Sequence, residues 1–241
     1  MDAAEKKDIL EKFKKWFRGT LVVRHKVNTE KLVDLRQFNI NPFLLFYLAA
    51  FLEGDAKPES LAKALVYPRV LGTSITTSFG TNIQKFISEV LGDFRSSGTI
   101  GSGLDIEFID QTDNRKKYCQ LKSGPNAINR DDVTTVKDAF KKIKNLARTN
   151  NVKIDINDLI FCLIYGAENE KNSFVKELEV EYTVFIGQEF WHRLTGDPDF
   201  YRDLIQAAGD EAKKINGKAI IDDLIKKISV NIEKHIEGLG K

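Results

Sequence analysis

The sequence predicts an α/β fold: a central mixed β-sheet flanked by helices, with a helical elaboration at the N-terminus. Three observations predict it. Apolar residues recur at helical spacing through the first third of the chain and again at its C-terminal end. From Leu104 the pattern changes to a period of two through Ile109, and a second short strand follows from Tyr118 to Lys122. Leu159 to Tyr165 is a continuous apolar run, the pattern of a central strand buried on both faces.

The elements follow in order. Ile9, Leu10, Phe13, Trp16 and Phe17 mark a first helix, with Gly19 as its stop. Asn28 is placed to cap a second helix carrying Leu32, Val33 and Leu35. Asn41-Pro42 joins a capping side chain to a Pro at the first helical position, and Gly54 ends that helix. A short helix from about Ser60 to Val66 stops before Pro68. Leu71 to Ser78, with its threonines and serines, reads as a loop; a helix with Ile83, Phe86, Ile87, Val90 and Leu91 on its apolar side comes next. Gly101-Ser102-Gly103 leads into the hairpin, whose turn holds Asp113-Asn114, and Ser123-Gly124-Pro125 closes it. Asp131 or Asp132 caps a long helix through Val136, Phe140, Ile143 and Leu146. Glu181 to Gly187 is a further strand. Helices complete the chain, one capped by Asp197-Pro198 and the last carrying Ile220, Leu224, Ile228 and Ile232. The order is helices, hairpin, helix, strand, strand, helices. It divides the chain into a helical region, 1–70, and a core with C-terminal helices, 71–241.

Composition narrows the function classes. With 42% hydrophobic and 30% charged residues, 241 residues can bury a core, which excludes wholesale disorder. A net charge of +2 neither demands nor excludes a polyanionic partner. Cys119 and Cys162 are too few for a disulfide scaffold and lack zinc-site spacing; both sit in apolar stretches, as buried thiols of a reduced cytoplasm do. Pro42 to Leu52 is too short an apolar run to span a bilayer, and the first residues are too charged for a signal peptide. A cytoplasmic protein with no membrane partner is expected. His25, His192 and His235 are scattered without ligand spacing, and Trp191 reads as packing. Arg115-Lys116-Lys117 reads as a soluble turn.

The hairpin carries the chemistry. With its turn centred between Thr112 and Asp113, Asp105 falls opposite Gln120 and Glu107 opposite Tyr118. Asp105, Glu107, Gln120 and Lys122 then share one face, with Lys122 diagonal to Asp105 at about 7–8 Å between backbone positions. Half-burying such a group is costly, and a divalent cation compensates it. Carboxylate and amide oxygens without His or Cys suit a hard ion, Mg²⁺ or Mn²⁺. A lysine beside that ion can orient water and neutralise charge on a phosphoryl centre, which points to in-line phosphodiester hydrolysis. A solvent-facing hairpin with a polar outer face accounts for the same pattern. Three other acid-x-Lys matches, Glu5/Lys7, Asp55/Lys57 and Glu211/Lys213, fall in expected helices or loops and read as solvated charge.

Asp105, followed after an interval on the partner strand by Gln120-Leu121-Lys122, resembles the PD-(D/E)xK nuclease motif in its Gln variant. Gly103-Leu104-Asp105-Ile106-Glu107 and Gln120-Leu121-Lys122-Ser123-Gly124-Pro125 resemble type II restriction endonucleases of the PmeII-like group. Asn41-Pro42-Phe43, Pro68 to Gly72 and Gly187 to Trp191 fit the same pattern. The resemblance implies a restriction-endonuclease-like core, a Mg²⁺-dependent prokaryotic enzyme that cuts double-stranded DNA at a fixed site, and Asp105, Gln120 and Lys122 as its catalytic residues. Leu104 stands where the motif's Pro would be, and Gln120 replaces the usual second acid. Asp105 and Gln120 are then the expected metal ligands, with the missing charge coming from Glu107 or from Glu89 on the preceding helix. Alternatives are a repair or recombination nuclease on the same core, and a DNA-binding protein with a dead site.

Ser123, Asn126, Asn129 and Arg130 directly follow the catalytic strand, so a duplex at Lys122 would pass over them. Asn and Arg pair bidentately with adenine and guanine edges, respectively. Arg69 and the Thr73 to Ser78 loop, Thr76 included, form a second candidate contact region; an ordinary polar loop explains them equally. A palindromic site calls for a two-fold homodimer. Phe43, Leu44, Phe46, Tyr47 and Phe51 hold more apolar surface than capping a sheet edge requires, so part of the N-terminal region is expected at a subunit interface or embracing DNA.

Overall fold

The computed structural model describes residues 1–91, 104–151 and 153–239, the side chains of 88, 89 and 235–239 excepted. Its first half contains α1 (Ala3–Trp16), α2 (Val23–Glu30), α3 (Pro42–Glu53), α4 (Pro58–Pro68) and α5 (Ile75–Phe86). Strands β1 (Ile106–Ile109) and β2 (Lys116–Lys122) follow, then α6 (Arg130–Thr149), β3 (Leu159–Leu163), α7 (Ser173–Glu179) and β4 (Thr183–Ile186). The chain closes with α8 (Gln188–Thr195), α9 (Phe200–Ala212) and α10 (Gly217–Leu239). Two compact units divide these elements: Met1–Lys15 with Gly80–Gly209, and Trp16–Phe79 with Asp210–Lys241.

The first unit holds the sheet, four strands among the described residues in the order β1-β2-β3-β4. β1 is antiparallel to β2, while β2, β3 and β4 run parallel, so the sheet is mixed. Glu107 pairs with Tyr118, the register expected from the turn. Asn114 takes φ +56° in that turn, a left-handed conformation Asn tolerates. Parallel neighbours require crossovers, supplied by α6 and α7. One sheet face carries Tyr118, Phe161, Leu163, Val184 and Ile186, covered by Val133, Val136, Phe140 and Ile143 of α6. On the other, Phe108 meets Phe190 of α8 edge-on at 6.4 Å. β3 is buried along its whole length, as its apolar run requires. Trp191 is packing, its indole N–H donating to the Ile164 carbonyl at 2.8 Å. Both cysteines are buried and free, and burial pushes the Cys119 thiol up, away from thiolate chemistry.

In the second unit α4 packs between α3 and α10, with Leu61, Ala62, Val66, Leu224, Ile228 and Ile232 in its core. Asn41 caps α3 by accepting from the Phe43 and Leu44 N–H groups, and Gly54 closes it at φ +78°. Both follow the sequence. No helix among the described residues is long and apolar enough to cross a membrane.

Several local expectations are corrected. Gly19 does not stop α1; a π-turn, Phe17–Val22, carries the chain on into α2, held by buried Leu21. Asn28 lies inside α2 and donates to Ser78 Oγ at 3.5 Å, and the turn carrying Leu35 is capped by Asp34 instead. Leu71 to Ser78 is helical, not a loop. Arg69–Ser74 is a second π-turn leading into α5, so Pro68 does not break the path. Thr76 bonds back to the Gly72 carbonyl at 2.9 Å, a device that lets hydroxyl residues sit in helices, and burial of Val70 and Ser78 outweighs their weak propensity. α7 was not expected: Asn172 caps it through the Phe174 and Val175 N–H groups, and it makes β3 and β4 parallel. The Arg115 to Lys117 segment is an ion network as much as a turn. Lys117 is buried and bonds Asp113 at 2.6 Å and Asp158 at 3.2 Å, while Arg115 reaches Asp158 at 2.6 Å.

Candidate active site

The hairpin places three of the expected residues together. Asp105 precedes β1 and extends its ladder, its N–H donating to the Cys119 carbonyl at 3.2 Å. Continuing the register by one pair sets it opposite Gln120, which is half-buried on the face shared with Tyr118 and Lys122. Asp105 Oδ2 accepts the Leu121 N–H at 2.7 Å, so the carboxylate is clamped to the strand that ends in Lys122. Burial around this carboxylate raises its pKa above the ordinary value, although the residue itself meets solvent; the Leu121 N–H and the nearby Lys122 ammonium oppose the shift. The Leu121 carbonyl accepts from Gln84 Nε2 of α5 at 3.1 Å.

Lys122 does not stand alone. Its ammonium lies 2.8 Å from Asp132 Oδ1, in the first turn of α6. Burial would raise the Asp132 pKa, but Lys122 and the Asn129 N–H outweigh it and hold the carboxyl below the usual carboxylate range. The cap of α6 is therefore Asn129, with Asp132 as its reciprocal partner, and not Asp131 or Asp132 alone: Asp132 N–H donates to Asn129 Oδ1 at 3.0 Å and Asn129 N–H to Asp132 Oδ2 at 2.9 Å.

The remaining candidates are more dispersed. Glu107 keeps the expected register, but its carboxylate is buried and pairs with Lys116 at 2.7 Å. The side chain of Glu89 lies outside the described residues. Ser123 is half-buried and Asn126 exposed in the loop after β2. Tyr165 stacks against that loop so closely that a Cβ on Gly124 would lie 2.3 Å from its ring. Arg130 pairs with Glu177 at 2.6 Å and lies over the Phe174 ring at 5.5 Å. Arg69 and Thr76 are exposed in the second unit.

A mixed sheet thus carries a carboxylate, a carboxamide and a lysine at one hairpin. Residues 26–216 match the family model described as type II restriction endonuclease EcoO109I. The chain belongs to the EcoO109I family of type II restriction endonucleases. No curated protein matches the sequence.

Type II restriction endonucleases act on DNA and generally use divalent metals. In this member, no group of three or more His, Cys, Asp or Glu side chains converges on a metal position among the described residues. The donor set is thin: one carboxylate of raised pKa and one amide oxygen. That set fits a hard cation, which keeps waters and takes phosphate oxygens instead of demanding a full protein cage. Sequence reasoning missed the roles of Asp132 and Gln84 at this site. The Asn129-x-x-Asp132 spacing, a capping box with Asp in the acid's place, was the available signal for the first; nothing local marks the second.

Proposed function

We propose that this restriction endonuclease is of the PmeII-like, Gln-variant PD-(D/E)xK kind. It hydrolyses phosphodiester bonds of double-stranded DNA at a fixed sequence and depends on Mg²⁺, which Mn²⁺ can replace, in a prokaryotic cytoplasm. The bond from the Leu121 N–H to Asp105, which ties the carboxylate to the Lys122 strand, carries this reading. Asp105 and Gln120 would hold the cation. When bound, the cation supplies Lewis-acid polarisation of the phosphoryl group and a water of lowered pKa. Lys122 orients the attacking water and neutralises charge building on the phosphoryl oxygens. As the water oxygen bonds to phosphorus, the opposite P–O bond breaks in line; the water loses a proton and the leaving sugar oxygen gains one. Gln120 offers its oxygen to the cation or to that water. Glu107 joins only by exchanging Lys116, and Glu89 is the other source of the missing charge.

Ser123, Asn126, Asn129 and Arg130 contact the duplex, Arg130 by releasing Glu177, and Arg69 and Thr76 form a second contact region. Residues 1–70 serve dimerisation and DNA embrace, residues 71–241 the catalytic core. A plasmid digest with Mg²⁺, with EDTA and with Ca²⁺ tests the reading. Cutting at fixed sites with Mg²⁺, none with chelator, and binding with little cutting in Ca²⁺ are expected. Full cleavage in EDTA would remove the metal mechanism. Cutting without sequence preference would mean a repair or recombination nuclease. Duplex binding with no cutting would mean a dead site, a reading that Gln120 in place of an acid favours.

A further inference from the structure

We propose that Asp132 is a positioning residue for Lys122, holding the ammonium where it meets the attacking water and the phosphate. The inference rests on the reading of Lys122 given above. A lysine stem carries large rotamer entropy, so an unanchored ammonium samples many positions. Here it is anchored at 2.8 Å by a carboxylate whose own position is fixed. Asp132 Oδ2 is taken by the Asn129 N–H, its backbone N–H by Asn129 Oδ1, and α6 behind it is pinned to the sheet by Val133, Val136 and Phe140.

The cap needs only one acceptor at this position, and Oδ2 supplies it. The second oxygen, turned to Lys122, is not required for capping. Nor does the pair consume the lysine. An ammonium has three donors, and the bond to Asp132 leaves two for water and phosphate. The helix after the catalytic strand thus transmits the rigidity of the core to the long lysine side chain at the site. Supporting shells of this kind act through placement, where an error of about 1 Å costs up to about 10²-fold in rate.

The test compares full-length Asp132→Asn, Asp132→Glu, Ile143→Ala and Lys122→Ala proteins. It reads single-turnover cleavage in Mg²⁺, duplex affinity by gel shift in Ca²⁺, and Tm. Asp132→Asn keeps a cap acceptor but loses the anion. Its cleavage rate is expected to fall about 10- to 100-fold with affinity within about twofold of wild type. Asp132→Glu, which can still reach both partners, should recover most of the rate. Ile143→Ala, a core truncation farther along α6, should lower Tm while keeping the rate well below its transition. If Asp132→Asn does not fold, Asp132→Ser, able to cap but too short to reach Lys122, reads the same contrast. Wild-type or faster cutting by Asp132→Asn, with Lys122→Ala inactive, would overturn the inference and leave the proposed function standing. Equal rate losses in Asp132→Asn and Ile143→Ala would reduce Asp132 to a stabiliser of α6 and overturn it too. Lys122→Ala cutting at the wild-type rate would instead remove the active-site reading itself.

Discussion

At the residue scale, Asp105 is where activity and stability oppose each other. Burial around its carboxylate disfavours the charged form, and one backbone N–H and the Lys122 ammonium compensate in part. Asp105→Asn should therefore abolish cleavage yet raise Tm, the trade between activity and stability expected where a functional site keeps a poorly compensated charge. Added Mg²⁺ should raise the Tm of the wild type and not of the variant; an equal rise in both would place the cation elsewhere. Lys122→Ala should cost about 10² or more in rate, the loss of a preorganised charge stabiliser, with duplex affinity little changed. Arg130→Ala should behave the other way, relaxing or weakening site choice while cutting continues, and a gel shift beside a timed digest reads both. Asp105, Gln120 and Lys122 were legible because period two and a countable turn decide which side chains share a face. Asp132 was not, since its partner lies ten residues away on another element.

At the element scale, two joints deserve separate tests. Gly187, between β4 and α8, takes φ +50°, and a Cβ there would lie 2.3 Å from the Gly166 carbonyl oxygen. Gly187→Ala combines a disfavoured backbone conformation with a backbone clash, so a loss above about 3 kcal/mol is expected in thermal or denaturant unfolding. Asp55 joins α3 to α4. Its carboxylate accepts from Ser60 Oγ at 2.5 Å, pairs with Lys57 at 2.9 Å, and is held at about 2 by these bonds. A depressed native pKa contributes stability above the unfolded carboxyl's value, and that contribution fades as pH falls toward the native one. Asp55→Asn should thus lower Tm at neutral pH, with the deficit closing between about pH 4 and about pH 2. A deficit independent of pH would contradict this. α3 was legible from Asn41, Pro42 and Gly54 because caps are local. The helix over residues 71–78 was not, because its threonines and serines favour it only once neighbours are buried.

At the scale of the whole molecule, α3 presents apolar surface that a partner would cover. Of its residues only Ala49 is buried, while Phe43 is 87% and Phe51 77% exposed, with Leu44 and Tyr47 beside them. Apolar surface of this kind marks an interaction site, and the proposed homodimer places it at the subunit interface. Light scattering at micromolar concentration should give about twice the chain mass. A Phe43→Glu, Phe51→Glu double variant should give one chain mass and lose double-strand cutting; a strict monomer that still makes double-strand breaks would contradict the dimer. The sequence by itself determined the hairpin and its register, the central strand, the caps of α3 and the Asp105, Gln120, Lys122 group, all set by short-range periodicity and backbone chemistry. Only the tertiary structure decided that Glu107 is buried against Lys116, that Lys122 answers to Asp132, and that α10 shares a core with α4 from the far side of the chain. Those outcomes depend on which distant surfaces are buried together, and burial is a property of the packed chain that no local spacing records.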